Sequence, residues 1–375
     1  MLVLLLGAGK GLSNGISYQF EGDALNSLWI RPGRTSVPFK GMKEGRIIKL
    51  DNDDYKFLLD EFDQIEELSG KYFLGGNKVA KYKEIALAYD VQGIHPDGAI
   101  VEGLSVTKGR ALNHADQLEN RKVAVIGEPV VDQLFKDEDP IGKMVTLDGA
   151  NYKIVGVFHD KEGERSMRRF YLPISTVQKV YSSLNRLDQL IVAAGDLSLA
   201  DMDLLEQKTK ETLQGRKMIA PDDRRALRVF NMANEFQSFV SLMFVTNGII
   251  WMVGIFSMIA GVIGVSNIML IIVKDRTKEI GIRKAIGATP GSIVSMIFQE
   301  SIFITAVAGY IGLASGVGVL ALLQGVETEF FRRPEVNFGV VLAATVVLIL
   351  AGVLAGLLPA IQASRINPVT AIKSD

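Results

Sequence analysis

The sequence predicts an α+β membrane protein. Four helical spans, the first of them truncated, carry a large extracytoplasmic α/β domain of two subdomains on a helical stalk. Three observations lead there: charges spread through residues of about 15 to 235, three long charge-free apolar runs follow, and strand and helix patterns alternate within the charged part. The 375 residues are 48% hydrophobic yet 22% charged, a mixture of globular and membrane sequence. A net charge of -1 gives no support to a nucleic-acid partner. The chain has no cysteine, which excludes disulfides and thiolate sites and fits either redox compartment.

The opening MLVLLLGAGKGLSNG has three readings. A dinucleotide turn fails because Leu12 stands where the third glycine belongs, and a phosphate loop fails because Gly11 follows Lys10. A hydrolase elbow around Ser13 needs a strand directly before the turn, and Gly7 to Lys10 intervene. The third reading is the outer half of a first membrane helix. Met1 to Ala8 rise only about 12 Å as helix, so the start codon is expected to be misplaced or the gene truncated upstream. Leu12, Ile16 and Phe20 recur every four residues, as a helix continuing outward would show. The opening shows neither a basic n-region nor a small-residue cleavage site.

Strands are expected in SLWIRP, EIALAYDVQGI, RKVAVIGEPV, MVTLDGANYKIVGVF and QLIVAAGD, with a hairpin turning at Asp148-Gly149. Helices are expected in DDYKFLLDEFDQIEELS, VVDQLF, STVQKVYSSL and SLADMDLLEQKTKETLQG. The last has Asp201, Asp203 and Glu206 early, Lys208 and Lys210 late, and Gly215 as a stop. A further helix is expected to start at Asp222-Asp223. Along it Val229, Met232, Phe236, Phe239 and Met243 form a heptad seam leading into the first apolar run. That seam is either an amphipathic face packed on its own domain or a stalk paired with the Leu12-Ile16-Phe20 helix.

The apolar runs are Asn247 to Val273, Ser301 to Leu323 and Phe338 to Ile361, each long enough to cross a bilayer. Small residues at helical spacing, Ala260 and Gly264, Ala308, Gly312 and Gly316, and Gly352 and Gly356, suit close helix packing in lipid. Lys274, Arg276, Lys278, Arg283 and Lys284 outweigh Asp275 and Glu279 between the first two runs. Arg365 and Lys373 outweigh Asp375 in the tail. Basic excess places both in the cytoplasm and residues 15 to 245 outside. The other loop carries Arg332 and Arg333 against Glu327, Glu329 and Glu335.

Catalytic, cofactor-binding and metal residues are all expected to be absent. His95, His114 and His159 lack metal-ligand spacing, and Asp51-Asn52-Asp53-Asp54 departs from a calcium loop at Lys56 and Phe62, which leaves a helix cap. No run holds an internal ionisable residue, Glu300 lying at an edge, so an ion relay is not expected. DRTKEIGIRKAIG suits a short helix ending near Gly287, after which Thr289-Pro290 begins another. Ile280, Ile282 and Ile286 are expected on its exposed face beside the basic side chains. They suit either a lipid interface or a docking helix for a partner.

These residues resemble a known family. VKDRTKEIGIRKAIGATPGSIVSMIFQES is similar to the loop between the second and third membrane helices of MacB/FtsX-family ABC-transporter permeases, through Arg276, Glu279, Ile280, Gly281, Arg283, Lys284, Ala285, Gly287, Ala288 and Glu300. The tail resembles the family's ending at Ala363, Pro368 and Ala371. Gly109-Arg110, Val123 to Gly127, Leu134-Phe135, Gly142-Lys143 and Gly156-Val157 resemble its periplasmic core. The front departs from the family, which has a complete first helix.

The resemblance implies a four-span permease with this organisation. Residues 1–20 form half a span and stalk, and 21–221 a periplasmic core of a porter-like part with an inserted β-rich part. Residues 222–246 form a stalk helix, and 247–375 an FtsX-like permease domain with docking loop 274–300 and tail 362–375. It also implies a multi-pass protein of the bacterial inner membrane, forming a homodimer or a heterodimer with a paralogous permease. A separate nucleotide-binding ATPase would carry ATP-Mg, and a membrane fusion protein and a TolC-like outer-membrane channel would complete the pump. Efflux of a drug, peptide or other periplasmic substrate would be the output. Lipoprotein release or FtsX-like control of cell-wall hydrolases would use the same mechanotransmission. A membrane-anchored sensor without an ATPase is the remaining reading, and the loop motif argues against it.

Overall fold

The computed structural model describes residues 2–20, 25–160, 163–183, 185–323, 331–334 and 338–367. Pro368, Ala371, Lys373, Asp375, Glu327, Glu329 and Glu335 lie outside them. In chain order the first elements are α1 (Leu2–Phe20), β1 (Ser27–Pro32), β2 (Leu50–Asp51), α2 (Asn52–Glu61), β3 (Ile65–Phe73), β4 (Lys78–Tyr82), β5 (Ile85–Ile94), α3 (Gly98–Val101), β6 (Ser105–Gly109), α4 (His114–Leu118), β7 (Val123–Gly127) and α5 (Glu128–Leu134). Then come β8 (Met144–Leu147), β9 (Ala150–His159), α6 (Glu164–Met167), β10 (Arg169–Pro173), α7 (Ile174–Val180), β11 (Arg186–Leu187), β12 (Gln189–Ala194), α8 (Leu199–Arg216), β13 (Leu227–Asn231), α9 (Met232–Asp275), α10 (Thr277–Ala285), α11 (Pro290–Leu323) and α12 (Phe338–Ser364). They fall into two compact units, Ser17–Val240 and Met1–Ile16 with Ser241–Asp375.

In the first unit, antiparallel strands lie in the order β13-β1-β12-β3. Two split β-α-β connections interleave there, one through α2 and one through α8. Leu28, Ile30, Leu68, Leu190, Val192 and Leu227 of the strands meet Leu58 of α2 and Met202, Leu205 and Leu213 of α8 in one core. Both helices start where capping chemistry dictates. Asp51 accepts from the Asp54 amide while Asp54 reciprocates, and Ser198 accepts from the Asp201 amide. The Asp51 cluster is thus a helix cap, tied to α8 by Lys217 at 2.7 Å from Asp51 and 2.6 Å from Asp54.

Between β3 and β12 the chain builds a β-rich insertion. β5, β4, β8, β9, β7 and β10 pair in sequence, and β10 returns to pair parallel with β5, closing a ring of six strands. Its interior is a second core of Tyr89, Val91, Ile126, Leu147, Tyr152, Ile154 and Phe170. Closure removes the open edges that a short sheet would otherwise expose. The sheet runs unbroken from β3 into β5, so both cores share one compact unit. The β8–β9 turn falls at Asp148-Gly149 as expected, with φ of 48° and 85°.

Three expectations need correction. The helix expected through Ser69 stops at Glu61, because Phe62 turns extended and Ile65–Phe73 is drawn into the sheet between β12 and β5. RKVAVIGEPV is a strand only to Gly127, after which Pro129 sits in the first turn of α5. The helix expected from Asp222 begins at Met232. Leu227–Asn231 is β13, paired with β1, so Val229 is a strand residue packed on the first core and leaves the heptad seam.

The second unit is helical. α9, α11 and part of α12 (Ala344–Ser364) are long and apolar enough to cross a membrane. α1 is one continuous helix of 19 residues, so Gly11 to Gly15 form neither a nucleotide turn nor a hydrolase elbow. The fourth expected span is not among the apolar helices that meet this length and composition. α9 and α11 reach 44 and 34 residues, well beyond their charge-free runs. At 1.5 Å per residue, α11 alone is about 50 Å long against a hydrocarbon layer of about 30 Å.

Candidate functional site

The segment joining α9 to α11 is built as a strapped helix. Arg276 ends α9 and caps α10, and the Thr277 hydroxyl donates to the Val273 carbonyl at 3.2 Å. α10 ends at Ile286. Gly287 takes φ of 109°, which only glycine adopts cheaply, and Ala288 N–H donates back to the Arg283 carbonyl at 3.0 Å. Thr289 Oγ1 then accepts from the Ser292 amide, and Pro290 opens α11. These boundaries match those expected from the sequence.

The inner side of α10 is fixed by three kinds of contact. Ile280 is 1% exposed within a cluster of Met269, Val273, Ile293, Ile297, Ala360 and Ala363, and Gly281 beside it is buried. Arg276 reaches Glu300 of α11 at 3.2 Å and Glu279 at 3.6 Å, while Glu279 also takes Arg283 at 2.7 Å. Lys284 donates to the carbonyls of Ser364 and Ile366 at 2.8 and 2.7 Å, holding the end of α12. A cation there also suits the negative end of that helix's dipole.

The outer side is different. Ile282 is 44% and Ile286 83% exposed, with Lys278 and Ala285 exposed on the same face. Arg283 is exposed too, though its guanidinium also touches the Met296 sulfur at 2.9 Å. The expected trio of exposed isoleucines is therefore a pair. Ile280 belongs to the core, because the 3.6-residue period puts it opposite Ile282. Ala288 is half-buried against that core, and Lys284, one of the basic side chains expected beside the isoleucines, is committed to α12.

Of the small residues expected to pack helices, Gly352 and Gly356 do so. A Cβ on Gly352 would lie 3.2 Å from Thr305 Cβ, and one on Gly356 would lie 3.0 Å from Ser301 Cβ, both on α11. Gly316 faces Val3 and Leu4 of α1 at 3.9–4.0 Å. Gly312 and Ala308 line an apolar cleft of about 380 Å³, with Val3, Gly261, Thr305 and Ala351. A Cβ on Gly264 would meet no other part of the described residues within 4 Å, and Ala260 is exposed. Sequence spacing missed the tighter glycines: a Cβ on Gly7 would overlap Leu320, and one on Gly11 would meet Phe331 at 2.9 Å. Along α9, Met232, Phe236, Phe239 and Met243 are each half-buried while most of their neighbours are exposed.

In the first unit His95 is buried, accepts from the Gly70 amide at 2.8 Å and stacks on Tyr55 at 4.1 Å. His159 pairs with Glu128 and His114 with Asp97. No group of three or more His, Asp or Glu is placed to hold a metal among the described residues.

Helices able to cross a membrane, joined by this strapped loop, together with a mixed α/β unit define a membrane protein that carries a folded domain. Comparison with known proteins agrees. Residues 1–211 match the family described as MacB-like periplasmic core domain, and residues 251–368 match the FtsX-like permease C-terminal family. The chain belongs to the MacB/FtsX family of ABC-transporter permeases.

It is 27% identical over 376 residues to the "Macrolide export ATP-binding/permease protein MacB" of Bdellovibrio bacteriovorus, covering 99% of this chain and 57% of that protein. To the protein of the same description from Neisseria gonorrhoeae it is 27% identical, covering 100% and 56%. To "Uncharacterized ABC transporter permease YknZ" of Bacillus subtilis it is 28% identical, covering 78% and 72%. The chain thus spans 56–57% of the length of these two MacB relatives. Among solved structures, the periplasmic region of MacB from Actinobacillus actinomycetemcomitans is 20% identical with a TM-score of 0.48, covering 59% of this chain and 95% of that one.

Proposed function

We propose that this chain is the permease subunit of a MacB-type exporter of the bacterial inner membrane, with residues 25–231 in the periplasm. A nucleotide-binding ATPase on a separate chain binds and hydrolyses ATP-Mg and docks on the outer face of α10. Motion of that ATPase passes through α10 and the α9 stalk to the periplasmic unit. There it drives efflux of a drug, peptide or other periplasmic substrate. The permease works as a homodimer, or with a paralogous permease, and a membrane fusion protein and a TolC-like channel complete the route outward. The relatives' description, export coupled to ATP binding, supports this reading.

One observation carries the docking step. α10 presents Ile282, Ala285 and Ile286 outward while Ile280, Arg276 and Lys284 anchor its other side to α11 and α12. Exposed aliphatic side chains ringed by charge suit a groove on a soluble partner. The test is co-purification of the permease with its ATPase. Ile282→Asp combined with Ile286→Asp should abolish it while leaving the permease folded, because both side chains face outward. Unchanged co-purification would refute the docking role.

A further inference from the structure

The first unit carries an ordered hairpin whose tip neither its cores nor ATPase docking uses. β1 begins at Ser27 and β13 ends at Asn231, neighbours at one end of the β1–β13 ladder. The hairpin, residues 33–48, stands at the other end, beyond Pro32 and Leu227. Phe39 and Met42 exchange backbone hydrogen bonds of 3.1 and 2.9 Å across a two-residue turn, Lys40 at φ 44° and Gly41 at φ 81°. Further down, Thr35 N–H donates to the Arg46 carbonyl at 2.9 Å and Gly33 N–H to the Ala226 carbonyl at 2.8 Å.

The hairpin's base is clamped. Asp223, 1% exposed, accepts from the Ser36 amide at 2.6 Å, the Ser36 hydroxyl at 2.8 Å, and the amides of Val37, Arg225 and Ala226 at 3.1, 3.0 and 3.1 Å. Burial opposes its charge, but the hydrogen bonds outweigh this and hold the carboxyl below its ordinary range. Arg46 donates to the carbonyls of Lys217 and Met218, each at 2.8 Å. A surface loop held this firmly has its ordering cost met in folding, which favours binding without rearrangement.

What the hairpin holds up is charge. Arg31, Arg34, Lys40, Lys43, Lys49 and Arg228 are exposed, and none forms an ion pair among the described residues. Glu44 is the one acid between positions 31 and 49. Arg31 and Arg228 stand directly opposite each other on the ladder, an arrangement that destabilises a sheet. Neither arginine has an ion-pair partner among the described residues to offset that repulsion. Met42 and Ile47, 39% and 55% exposed, lie among these cations.

We infer that this end of the unit is a docking surface for an acidic segment of a partner protein. Carboxylates of the partner face the arginines and lysines, and its apolar side chains cover Met42 and Ile47. A lipid surface fits less well, because the two apolar side chains are separated by Lys43, Glu44 and Arg46 and form no continuous apolar face. The inference goes beyond ATPase docking and uses none of its residues.

The test uses the full chain in a neutral detergent without any ATPase, so failure of the docking proposal above leaves it intact. A fluorescein-labelled oligo-glutamate peptide, with oligo-glutamine as the uncharged control, is titrated and followed by anisotropy. Binding should be selective for glutamate and weaken with salt. Arg34→Glu with Lys40→Glu and Lys43→Glu should weaken it about tenfold or more, while Lys208→Glu with Lys210→Glu on α8 should not. Arg228→Glu gives a second readout: affinity falls while the thermal midpoint rises, because repulsion of Arg31 becomes attraction. Equal affinity in the wild type and the hairpin variant would overturn the proposal. So would a fall in the midpoint of Arg228→Glu, or retention on phosphatidylglycerol vesicles without oligo-glutamate binding, which would assign the surface to lipid.

Discussion

Acidification should loosen the first unit at β3 through a single side chain. His95 is buried, and burial draws its pKa from 6.5 down to about 4, opposed by the Gly70 carbonyl 3.2 Å from Nδ1 and aided by His114. Its ring accepts the Gly70 N–H at 2.8 Å, so the native state needs the neutral imidazole. The unfolded chain takes up a proton near pH 6.5 and the folded chain only near 4. Between those values the unfolded state binds more protons, so stability is full above pH 6.5 and falls as the pH drops. The whole interval is worth about 3 kcal/mol, and the step from pH 7.5 to 5 about 2 kcal/mol, or about 30-fold in an opening equilibrium. Hydrogen exchange of the Gly70 amide in the intact protein, corrected for intrinsic rates, reads this directly. Protection should fall about 30-fold over that step in the wild type. His95→Phe, which keeps a ring against Tyr55 but cannot titrate, should lose most of the slope. An equal slope in both proteins would refute the assignment.

Two further outcomes follow from buried contacts. Lys71 and Glu102 pair at 2.7 Å with side chains 5% and 7% exposed, and Tyr171 donates to the same carboxylate at 3.0 Å. Lys71→Met should cost about 3–5 kcal/mol by stranding that charge, and adding Glu102→Gln should recover most of it in thermal or chemical unfolding. Within α10, Ile280→Ala should destabilise the helical unit by about 2–4 kcal/mol, whereas Ile282→Ala should change stability by under about 0.5 kcal/mol, as compared by thermal unfolding in detergent.

Features set by neighbours in sequence were legible there. The Asp148-Gly149 turn, the start of α8 near Ser198, the Gly287 stop and the Pro290 start each depend on a few adjacent residues, and the apolar runs depend only on composition. Features set by distant partners were not. β3 reads as helix because Glu66, Glu67 and Leu68 favour one locally, yet it lies between β12 and β5 and pairs with both. Val229 falls at heptad spacing from Met232 by coincidence, since β13 answers to β1 across the ladder. Ile280 looked like its neighbours Ile282 and Ile286. Only the arrival of Ile293, Ile297, Ala360 and Ala363 from two other helices distinguishes it.

That same burial bears on how a docked partner could act. A surface helix on flexible tethers would absorb a push by moving alone. α10 cannot, because Ile280 is locked among side chains of three helices, Arg276 is tied to α11 and Lys284 to the last carbonyls of α12. Close-packed interiors yield little under load, so displacement of Ile282 and Ile286 has to move α11 and α12 with it. Those two helices are themselves joined closely where Gly352 and Gly356 meet Thr305 and Ser301. An ATPase docked on α10 as proposed would therefore reach α11 and α12 through rigid contact at one short helix.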